Sequence, residues 1–186
     1  KKLNSLLEKR FSKKQLQEKI TNKTVFIIGA GPSLSKSLTY IKKCKNVTKI
    51  VADGAVEALS KKDIKPDILV TDLDGDLNSI RKIGRTKIPI IVHAHGDNHD
   101  KLEIVKEFAN VVGTTQTEEF GKMKNFGGFT DGDRCVFLAE FFNADKIVLI
   151  GMDFGQKIGK FSDNILYKAQ SISPKYIKYL GFKFGT

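Results

Sequence analysis

Three aspartates, Asp72, Asp74 and Asp76, closely follow the short apolar run Ile68–Val70. A run of this kind is typical of a buried strand. Carboxylates this close together repel one another and gain nothing from burial, so packing alone does not explain them. Clustered carboxylate oxygens are the ligands that Mg²⁺ prefers, with waters and substrate phosphates completing its octahedron. The segment therefore predicts a metal–phosphate site, and a solvated acidic turn is the plainer alternative.

Strand and helix signals alternate along the chain around this segment. Apolar runs predict six strands, at Thr24–Ile28, Lys49–Ala52, Ile68–Val70, Ile88–Val92, Val111–Val112 and Lys146–Ile150. The alternation predicts a Rossmann-like, three-layer α/β/α fold with a mostly parallel sheet and right-handed crossovers. Because ligands bind at the carboxyl ends of parallel strands, the polar segments that follow these strands should meet at one edge.

The chain divides into a helical segment at 1–22 and a single catalytic α/β domain at 23–186. The segment Leu3–Ile20 has apolar residues at three- and four-residue spacing, which predicts an amphipathic helix. Ser162–Leu180 predicts a closing helix that Pro174 weakens. A length of 186 residues is enough for one domain with a full core and too short for two ordinary domains.

The composition indicates a soluble globular protein in a reducing compartment. No apolar run approaches the ~20 residues of a membrane span, and the first residues show no signal peptide. Cys44 and Cys135 are far apart, without a Cys-x-x-Cys pattern, which indicates reduced thiols and a cytoplasmic location. The net charge of +11 comes almost entirely from scattered lysines, so we expect no nucleic-acid partner and no membrane partner. An oligomer is compatible with the sequence.

A glycine-rich segment, Gly29-Ala-Gly-Pro-Ser-Leu34, follows the first predicted strand. Glycines at such a turn let backbone N–H groups approach a phosphate. Leu34 replaces the third glycine of the dinucleotide fingerprint, so the signal for a nicotinamide cofactor is weak, and a tight turn without a ligand is an equal alternative. The segment Gly155–Lys160 is similar to a P-loop, but it is one residue short and Phe161 replaces the hydroxyl residue. We therefore reject a Walker motif there.

The fourth predicted strand leads into a loop with two histidines and a carboxylate. His93, His95 and Asp97 have the residue types of a zinc site, since imidazole and carboxylate both bind zinc. Gly96 makes the extended geometry that such a site needs doubtful. A more economical arrangement places Asp97 with the acidic cluster around Mg²⁺. Direct ligation by the histidines and a role in orienting the loop are then equal alternatives.

The segment Gly127-Gly-Phe-Thr-Asp-Gly-Asp-Arg134 combines two glycines, two carboxylates and the only arginine in the second half of the chain. A helix N-terminus explains part of this pattern, with Thr130 or Asp131 as the cap and Asp133 near the positive end of the dipole. It explains neither the glycine pair nor Arg134. The segment therefore predicts a second ligand-binding element.

Two other enzyme classes stay open at this point. The segment Asp72-Leu-Asp-Gly-Asp76 is similar to the start of a haloacid-dehalogenase-type phosphatase, in which the first aspartate is the nucleophile. Here Asp76 occupies the threonine position of that motif, and two strand–helix units precede a motif that usually opens the domain. A nucleotide-sugar glycosyltransferase would use similar glycine loops and carboxylates around a metal diphosphate.

Six segments taken together resemble the archaeal 6-hydroxymethyl-7,8-dihydropterin diphosphokinase family, which is similar to the catalytic domain of thiamine pyrophosphokinases. The segments are Gly29–Leu34, Ala52–Ala55, Thr71–Gly75, His93–Asn98, Gly127–Arg134 and Gly151–Gly155. The resemblance implies a Rossmann-like sheet and Mg²⁺-dependent transfer of diphosphate from ATP to the pterin hydroxymethyl group. AMP would be released, in tetrahydromethanopterin or folate synthesis. A thiamine-like alcohol is the alternative acceptor.

The resemblance also implies roles for individual residues. By similarity to the Gly-Asp-x-Asp-Ser motif of thiamine pyrophosphokinases, Asp72 and Asp74 bind the metal, and Asp97 matches the aspartate of the next loop. These three form the expected catalytic set together with Arg134, whose planar fork suits a phosphate. The residues expected to bind ATP are Gly29, Gly31, Ser33, Asp53, His95 and Asn98. Those expected to bind the pterin-like acceptor, by ring stacking on Phe129 and by hydrogen bonds to carboxylates, are Gly127, Gly128, Phe129, Thr130, Asp131 and Asp133.

Overall fold

The structure is a computed structural model that describes residues 1–7 and 13–153 of the chain. The segment Gly155–Lys160 and the predicted closing helix at Ser162–Leu180 lie outside the described residues. Within them, no helix combines the length and the apolar character needed to cross a bilayer.

An entirely parallel six-stranded sheet forms the centre of the described chain, which confirms the predicted α/β fold. Its strands are β1 (Thr24–Ile28), β2 (Thr48–Ala52), β3 (Ile68–Thr71), β4 (Ile90–His93), β5 (Val111–Thr114) and β6 (Lys146–Ile150). Their order across the sheet is β5-β4-β3-β2-β1-β6. The strands are apolar in almost every position because helices cover both faces of a parallel sheet.

Helices pack on both faces of this sheet. The α-helices are α1 (Lys2–Leu6), α2 (Lys13–Ile20), α3 (Leu34–Lys43), α4 (Val56–Ser60), α5 (Leu77–Gly84) and α6 (Asp131–Phe141). Two 3₁₀ helices complete the described part, at Asp53–Ala55 and Gly96–Glu107. One hydrophobic core joins the sheet to α1, α3, α4, α5 and the longer 3₁₀ helix, whereas α2 and α6 pack into a second core.

The N-terminal helical signal belongs to two helices, so the prediction of a single helix across Leu3–Ile20 is wrong. Helix α1 ends where Leu7 takes an extended conformation, with φ −75° and ψ 108°. Leu3 then packs into one core, while Leu16 packs into the other. A regular apolar spacing in the sequence does not reveal that its residues serve opposite faces of the sheet.

The bounds of the later strands also differ from the prediction. Strand β4 begins at Ile90, two residues later than predicted, because Pro89 has no N–H to contribute to a strand ladder. Strand β5 continues past Val112 to Thr114, where its register pairs Thr114 with His93. This extension brings a hydroxyl group beside a histidine at the edge of the sheet that carries the site.

Candidate functional site

Within the described residues, four carboxylates meet at the carboxyl edge of the sheet. Asp53 follows β2, Asp72 and Asp74 follow β3, and Asp131 begins α6. One oxygen of each carboxylate lies within 4.8 Å of one oxygen of every other. Oxygen ligands in such a group suit Mg²⁺, which keeps waters or substrate phosphates in its remaining positions.

The Thr71 hydroxyl fixes the turn that carries two of these carboxylates. It donates to Asp53 Oδ2 at 2.7 Å and accepts from the backbone N–H of Leu73 at 2.8 Å. Leu73 has a φ of +70°, a left-handed conformation that is unfavourable for a leucine, and its side chain is fully buried. The buried leucine thus anchors the turn in the core between Asp72 and Asp74. Backbone strain of this kind clusters at functional sites, where the surrounding structure enforces it.

Asp131 reaches the cluster because α6 begins over the end of β3. Its Oδ2 accepts from the backbone N–H of Asp72 at 3.1 Å. Thr130 is the helix cap, and Asp133 Oδ1 accepts from the backbone N–H groups of Thr130 and Phe129 at 2.6 and 3.0 Å. This capping box is the arrangement that a helix N-terminus alone requires. The predicted acceptor-binding carboxylates therefore have different surroundings: Asp133 caps the helix, whereas Asp131 faces the other carboxylates of the cluster.

Burial and mutual repulsion shift the pKa values of the carboxylates in the cluster. Burial raises the pKa of Asp53, and burial together with the other carboxylates raises that of Asp131 well above its usual value. Desolvation and the neighbouring Asp72 and Asp53 raise the pKa of Asp74 to about 8. Burial also disfavours ionised Asp72, but its contacts with Asp74 and His95 outweigh burial and lower its pKa. The cluster therefore binds protons in the absence of a cation.

Two buried oxygens give an independent indication that the cluster fits a metal. Asp72 Oδ1 and Asp131 Oδ1 are inaccessible to solvent and have no hydrogen-bond partner in the described part of the chain. An unpaired buried acceptor is costly and uncommon in folded proteins. A cation bound to Asp53, Asp72, Asp74 and Asp131 would satisfy both oxygens and offset the repulsion among the carboxylates.

We expect the metal-free protein to become less stable as the pH rises from about 6.5 to about 8. The pKa values of Asp53, Asp74 and Asp131 are raised in the folded state, that of Asp74 to about 8. A carboxyl group with a raised folded pKa contributes stability below its unfolded pKa of about 4 and loses it as the pH passes the folded pKa. Asp72 and His93 have the opposite sign, because their pKa values are lowered, that of His93 from 6.5 to about 4, but neither changes its contribution above about pH 6.5.

Mg²⁺ should reverse this loss, because it competes with protons for the same oxygens. Melting temperatures with and without Mg²⁺, measured by differential scanning fluorimetry across this pH range, test the expectation. The increase caused by Mg²⁺ should be larger at the alkaline end. An increase that is larger at the acidic end would contradict the assignment of these carboxylates to a cation.

The loop after β4 places a histidine, and not Asp97, beside the cluster. His95 Nε2 lies 3.1 Å from Asp72 Oδ2. Asn98 holds the loop in this position, since its side-chain amide donates to the carbonyls of Asp72 and His93 at 2.7 and 2.6 Å. Asp97 donates its backbone N–H to His95 Nδ1, and its carboxylate is not part of the four-carboxylate group.

Two metal-ligand sets that the sequence suggested are therefore not assembled in the described structure. Asp53 and Asp131 accompany Asp72 and Asp74, where the sequence predicted Asp97. The zinc alternative does not form either, because no ligand group among the described residues contains a histidine. The sequence shows Asp53 directly after the strand that precedes β3 in the chain, and the pairing of β2 with β3 is what brings it into this set.

The glycine loop after β1 packs against the end of β6. The backbone N–H of Gly31 donates to the carbonyl of Gly151 at 2.7 Å. The backbone N–H and the hydroxyl of Ser33 both donate to Asp153 Oδ2, at 3.0 and 2.9 Å. In this structure Ser33 of the loop therefore binds a carboxylate of the chain itself, and the binding of ATP phosphates by Gly29, Gly31 and Ser33 stays a prediction.

The segment before α6 presents an exposed aromatic ring on a rigid backbone. Gly127 and Gly128 have φ values of +90° and +89°, and a Cβ on Gly128 would lie 2.8 Å from Arg134 Cα. Close packing on α6 therefore explains the glycine pair. The backbone N–H of Phe129 donates to Asp133, and its carbonyl accepts from Arg134 Nη1 at 2.9 Å. These two hydrogen bonds fix the backbone of Phe129, whereas its side chain is 77% exposed to solvent.

Arg134 is buried and interacts electrostatically with the carboxylate cluster. Its side chain is 6% exposed, and burial lowers its pKa while Asp131, Asp133 and Asp72 raise it. Its charge therefore offsets part of the negative charge of the cluster.

A sequence profile described as 6-hydroxymethylpterin diphosphokinase MptE-like matches residues 1–159 of the chain. The chain belongs to the MptE-like family. The family predicted from the six sequence segments is confirmed by this match and by three archaeal relatives.

The three relatives of this MptE-like chain are all named 6-hydroxymethyl-7,8-dihydropterin pyrophosphokinase. The one from Pyrococcus furiosus is 51% identical over 152 residues, which is 81% of this chain and 64% of that protein. The Methanocaldococcus jannaschii protein is 44% identical over 172 residues, 86% and 71% of the two chains. The Methanothermobacter thermautotrophicus protein is 46% identical over 138 residues, 73% and 60%. This MptE-like chain thus spans 60% to 71% of the length of these curated relatives.

A solved structure shares the fold of this MptE-like chain. The MAf glycosyltransferase from Magnetospirillum magneticum AMB-1 matches 91% of this chain and 28% of its own, with a TM-score of 0.58 and 18% sequence identity. At that identity the likeness concerns the fold alone.

Proposed function

We propose that this MptE-like protein is a Mg²⁺-dependent diphosphokinase. It would transfer diphosphate from ATP to the hydroxymethyl group of 6-hydroxymethyl-7,8-dihydropterin and release AMP, in the synthesis of a pterin cofactor. The names of the three relatives support the acceptor and the reaction type. The observation that carries the proposal is the four-carboxylate cluster, in which two buried oxygens lack a partner in the described structure.

The carboxylate cluster suits phosphoryl chemistry, in which positioning and charge neutralisation matter more than covalent help from the protein. Asp53, Asp72, Asp74 and Asp131 would hold Mg²⁺, which when bound neutralises charge on phosphate oxygens and on the leaving AMP. His95 keeps Asp72 oriented through its contact at 3.1 Å. The rigid turn around Leu73 holds the carboxylates in place before the substrates arrive, so little reorganisation is needed during the reaction.

Asp74 is the residue that we assign to the acceptor hydroxyl. It is the exposed member of the cluster, whereas Asp53 and Asp131 are buried, so an acceptor can reach it. The hydroxyl oxygen attacks the β-phosphorus of ATP, the bond to the α-phosphate oxygen breaks, and the hydroxyl proton passes to a nearby base. We assign the role of base to Asp74 because its carboxylate is the exposed one in the cluster and is therefore the one that an acceptor hydroxyl can reach.

An ATP assay with a panel of acceptors tests the proposed function. Wild-type protein should release AMP with 6-hydroxymethyl-7,8-dihydropterin and Mg²⁺, and should not do so with thiamine or sugar acceptors. Release of ADP would indicate a simple kinase, and free phosphate from a monoester would indicate a phosphatase. Consumption of a nucleotide sugar without use of ATP would indicate a glycosyltransferase. Any of these last three results would contradict the proposal.

We expect Phe129→Ala to weaken acceptor binding without destabilising the protein. A stacked aromatic contact contributes roughly 0.5–1.5 kcal/mol, and the 77% exposed side chain contributes little to folding. Phe120→Ala is the matched control, because Phe120 is also exposed but lies in a turn that contacts Asn4 of α1. Fluorescence titration with the pterin measures both variants. Equal weakening by both, or none by Phe129→Ala, would remove the ring from the acceptor site.

A further inference from the structure

Asn98 is a buried amide at the start of the longer 3₁₀ helix, and the chain uses both of its amide protons. Its Nδ2 donates to the carbonyl of Asp72 at 2.7 Å and to the carbonyl of His93 at 2.6 Å. Its Oδ1 accepts from the backbone N–H of His95 at 3.1 Å. An asparagine amide has two protons to donate, so in this structure Asn98 has none left for the ATP contact that the sequence predicts. The side chain is also only 3% exposed.

Asn98 thereby holds the backbone of two residues whose side chains meet. One is Asp72, which follows β3, and the other is His95, which follows β4. His95 Nε2 lies 3.1 Å from Asp72 Oδ2. Because a single planar amide bonds to both backbones, it fixes the separation at which the two side chains meet.

The contact between His95 and Asp72 has a defined direction. The backbone N–H of Asp97 donates to His95 Nδ1 at 3.4 Å, and a backbone N–H can only donate, so Nδ1 carries a lone pair. In a neutral imidazole the ring proton is then on Nε2. His95 Nε2 therefore donates to Asp72 Oδ2, since an ionised carboxylate can only accept.

This donation leaves one oxygen of Asp72 for a cation. Oδ2 is paired with His95, whereas Oδ1 is buried and has no partner in the part of the chain that the structure describes. Asp131 shows the same division, because its Oδ2 accepts from the backbone N–H of Asp72 and its Oδ1 is buried and unpaired among the described residues. A hydrogen bond to one oxygen of a metal-binding carboxylate fixes the orientation of the other oxygen.

On the basis of the proposed function, in which Asp72 binds Mg²⁺, we propose that Asn98 is a positioning residue that sets the contact between His95 and Asp72 and so keeps Asp72 Oδ1 available for the cation. Asn98 acts through these two residues and does not itself touch the cation or the substrates. His95 contributes a hydrogen-bond donor and not a metal ligand. Loss of such a partner behind a metal ligand commonly costs roughly ten- to a hundredfold in metal affinity or activity.

The first test compares Asn98→Ala with Asn4→Ala. The Asn4 side chain also joins two segments, because its Oδ1 accepts from the backbone N–H of Lys122 at 2.7 Å, but it belongs to neither the cluster nor the loop after β4. Both variants should melt at a lower temperature than wild type. At a temperature at which both are folded, Asn98→Ala alone should lower turnover, and Mg²⁺ affinity in calorimetry, by roughly ten- to a hundredfold. The Michaelis constants for ATP and the pterin should stay unchanged at saturating Mg²⁺.

A double-mutant cycle tests whether Asn98 acts through His95. His95→Ala should lower Mg²⁺ affinity about as much as Asn98→Ala, and the double variant should lose little more, since both changes remove the same contact. His95→Gln, whose amide can donate from near the position of Nε2, should keep most of the affinity and activity. The His95 side chain is 30% exposed, so its two variants should fold even where Asn98→Ala does not. Equal losses in His95→Gln and His95→Ala would contradict the role of His95 as a donor.

Nitrogen NMR of the imidazole gives a readout that a purely structural role would not move. In wild-type protein with Mg²⁺, the His95 resonances should show a proton on Nε2, and Asn98→Ala should shift the ring toward a mixture of tautomers. The spectrum of His95→Gln assigns these resonances among the three histidines of the chain.

Wild-type Mg²⁺ affinity in Asn98→Ala, or additive losses in the double variant, would overturn the inference. A raised Michaelis constant for ATP with unchanged turnover would do the same, because Asn98 would then bind the nucleotide. Wild-type protein that binds Mg²⁺ but releases no AMP from ATP and the pterin would overturn the proposed function alone, since Mg²⁺ affinity and the NMR spectra do not depend on that reaction. Wild-type protein that binds no Mg²⁺ would overturn both.

Discussion

Asp72→Asn should lower turnover by roughly a hundredfold to a thousandfold, because one preorganised electrostatic group is commonly worth that much to a transition state. Asp72 contributes one oxygen to the carboxylate cluster, and its buried Oδ1 has no partner in the described structure. Asparagine keeps the shape of the side chain and removes its charge, so the fold should be retained. Asp74→Asn should have a similar effect, since it belongs to the same cluster. AMP release at saturating Mg²⁺ measures turnover, and calorimetry measures Mg²⁺ affinity.

The same turn supplies a matched control. Asp76 caps α5 by accepting from the backbone N–H groups of Asn78 and Ser79, and it is not part of the cluster. Asparagine is as good a helix cap as aspartate, so Asp76→Asn should keep nearly full activity. Near wild-type turnover in Asp72→Asn would remove the cluster from the mechanism. A phosphorylated Asp72 trapped during turnover would instead favour the phosphatase chemistry that the sequence left open.

Gly31→Ala should destabilise the protein by roughly 1–3 kcal/mol, the usual cost of forcing an extra group into a packed region. A Cβ at this position would overlap Asp153 Oδ2 and would lie 2.7 Å from the carbonyl oxygen of Gly151. The carboxylate can move, but the carbonyl belongs to the backbone after β6. Urea unfolding of the variant should therefore show a lower midpoint. If the loop also holds ATP phosphates, the apparent constant for ATP should rise more than that for the acceptor.

Gly96→Ala is the matched control for this substitution, because nothing lies within 4 Å of its Cβ position. Its midpoint should be unchanged or slightly higher, since alanine restricts the unfolded chain. Asp153→Ala in the Gly31→Ala background should recover only part of the stability, because the overlap with Gly151 is left in place. A Gly31→Ala protein as stable as Gly96→Ala would show that the loop after β1 can move away from β6.

The strands were predictable because each is a short apolar run that is buried on both faces. Their order across the sheet was not, because pairing between β1 and β6 depends on contacts that no local pattern records. The same limit applies to the site. Asp72 and Asp74 were predictable because both follow the apolar run of β3. Asp53 and Asp131 come from other segments of the chain, and they reach the cluster only through the order of the strands and the position at which α6 begins.

The residue at which α6 begins decides which carboxylate of this segment can take part in the site. The sequence allowed either Thr130 or Asp131 as the cap, and the two choices give the carboxylates different surroundings. With Thr130 as the cap, the Asp133 side chain hydrogen-bonds to the backbone at the start of the helix, and the Asp131 side chain takes no part in the cap and faces the cluster. The side-chain partner of His93 was hidden for a similar reason, because Thr114 lies beyond the end predicted for β5.

The position of β1 between β2 and β6 has a consequence for how the chain is made. Thr24 pairs with Lys146. One edge of β1 therefore cannot form its hydrogen bonds until most of the described chain has been synthesised. Sheets that depend on such distant pairings fold slowly, since the entropy of closing a long loop is lost before the contacts form. Until then the nascent chain exposes an unpaired edge on Thr24–Ile28, a strand of apolar residues apart from its first. We therefore expect this edge to be the part of the unfinished sheet that is most exposed to chaperone binding and to self-association during synthesis.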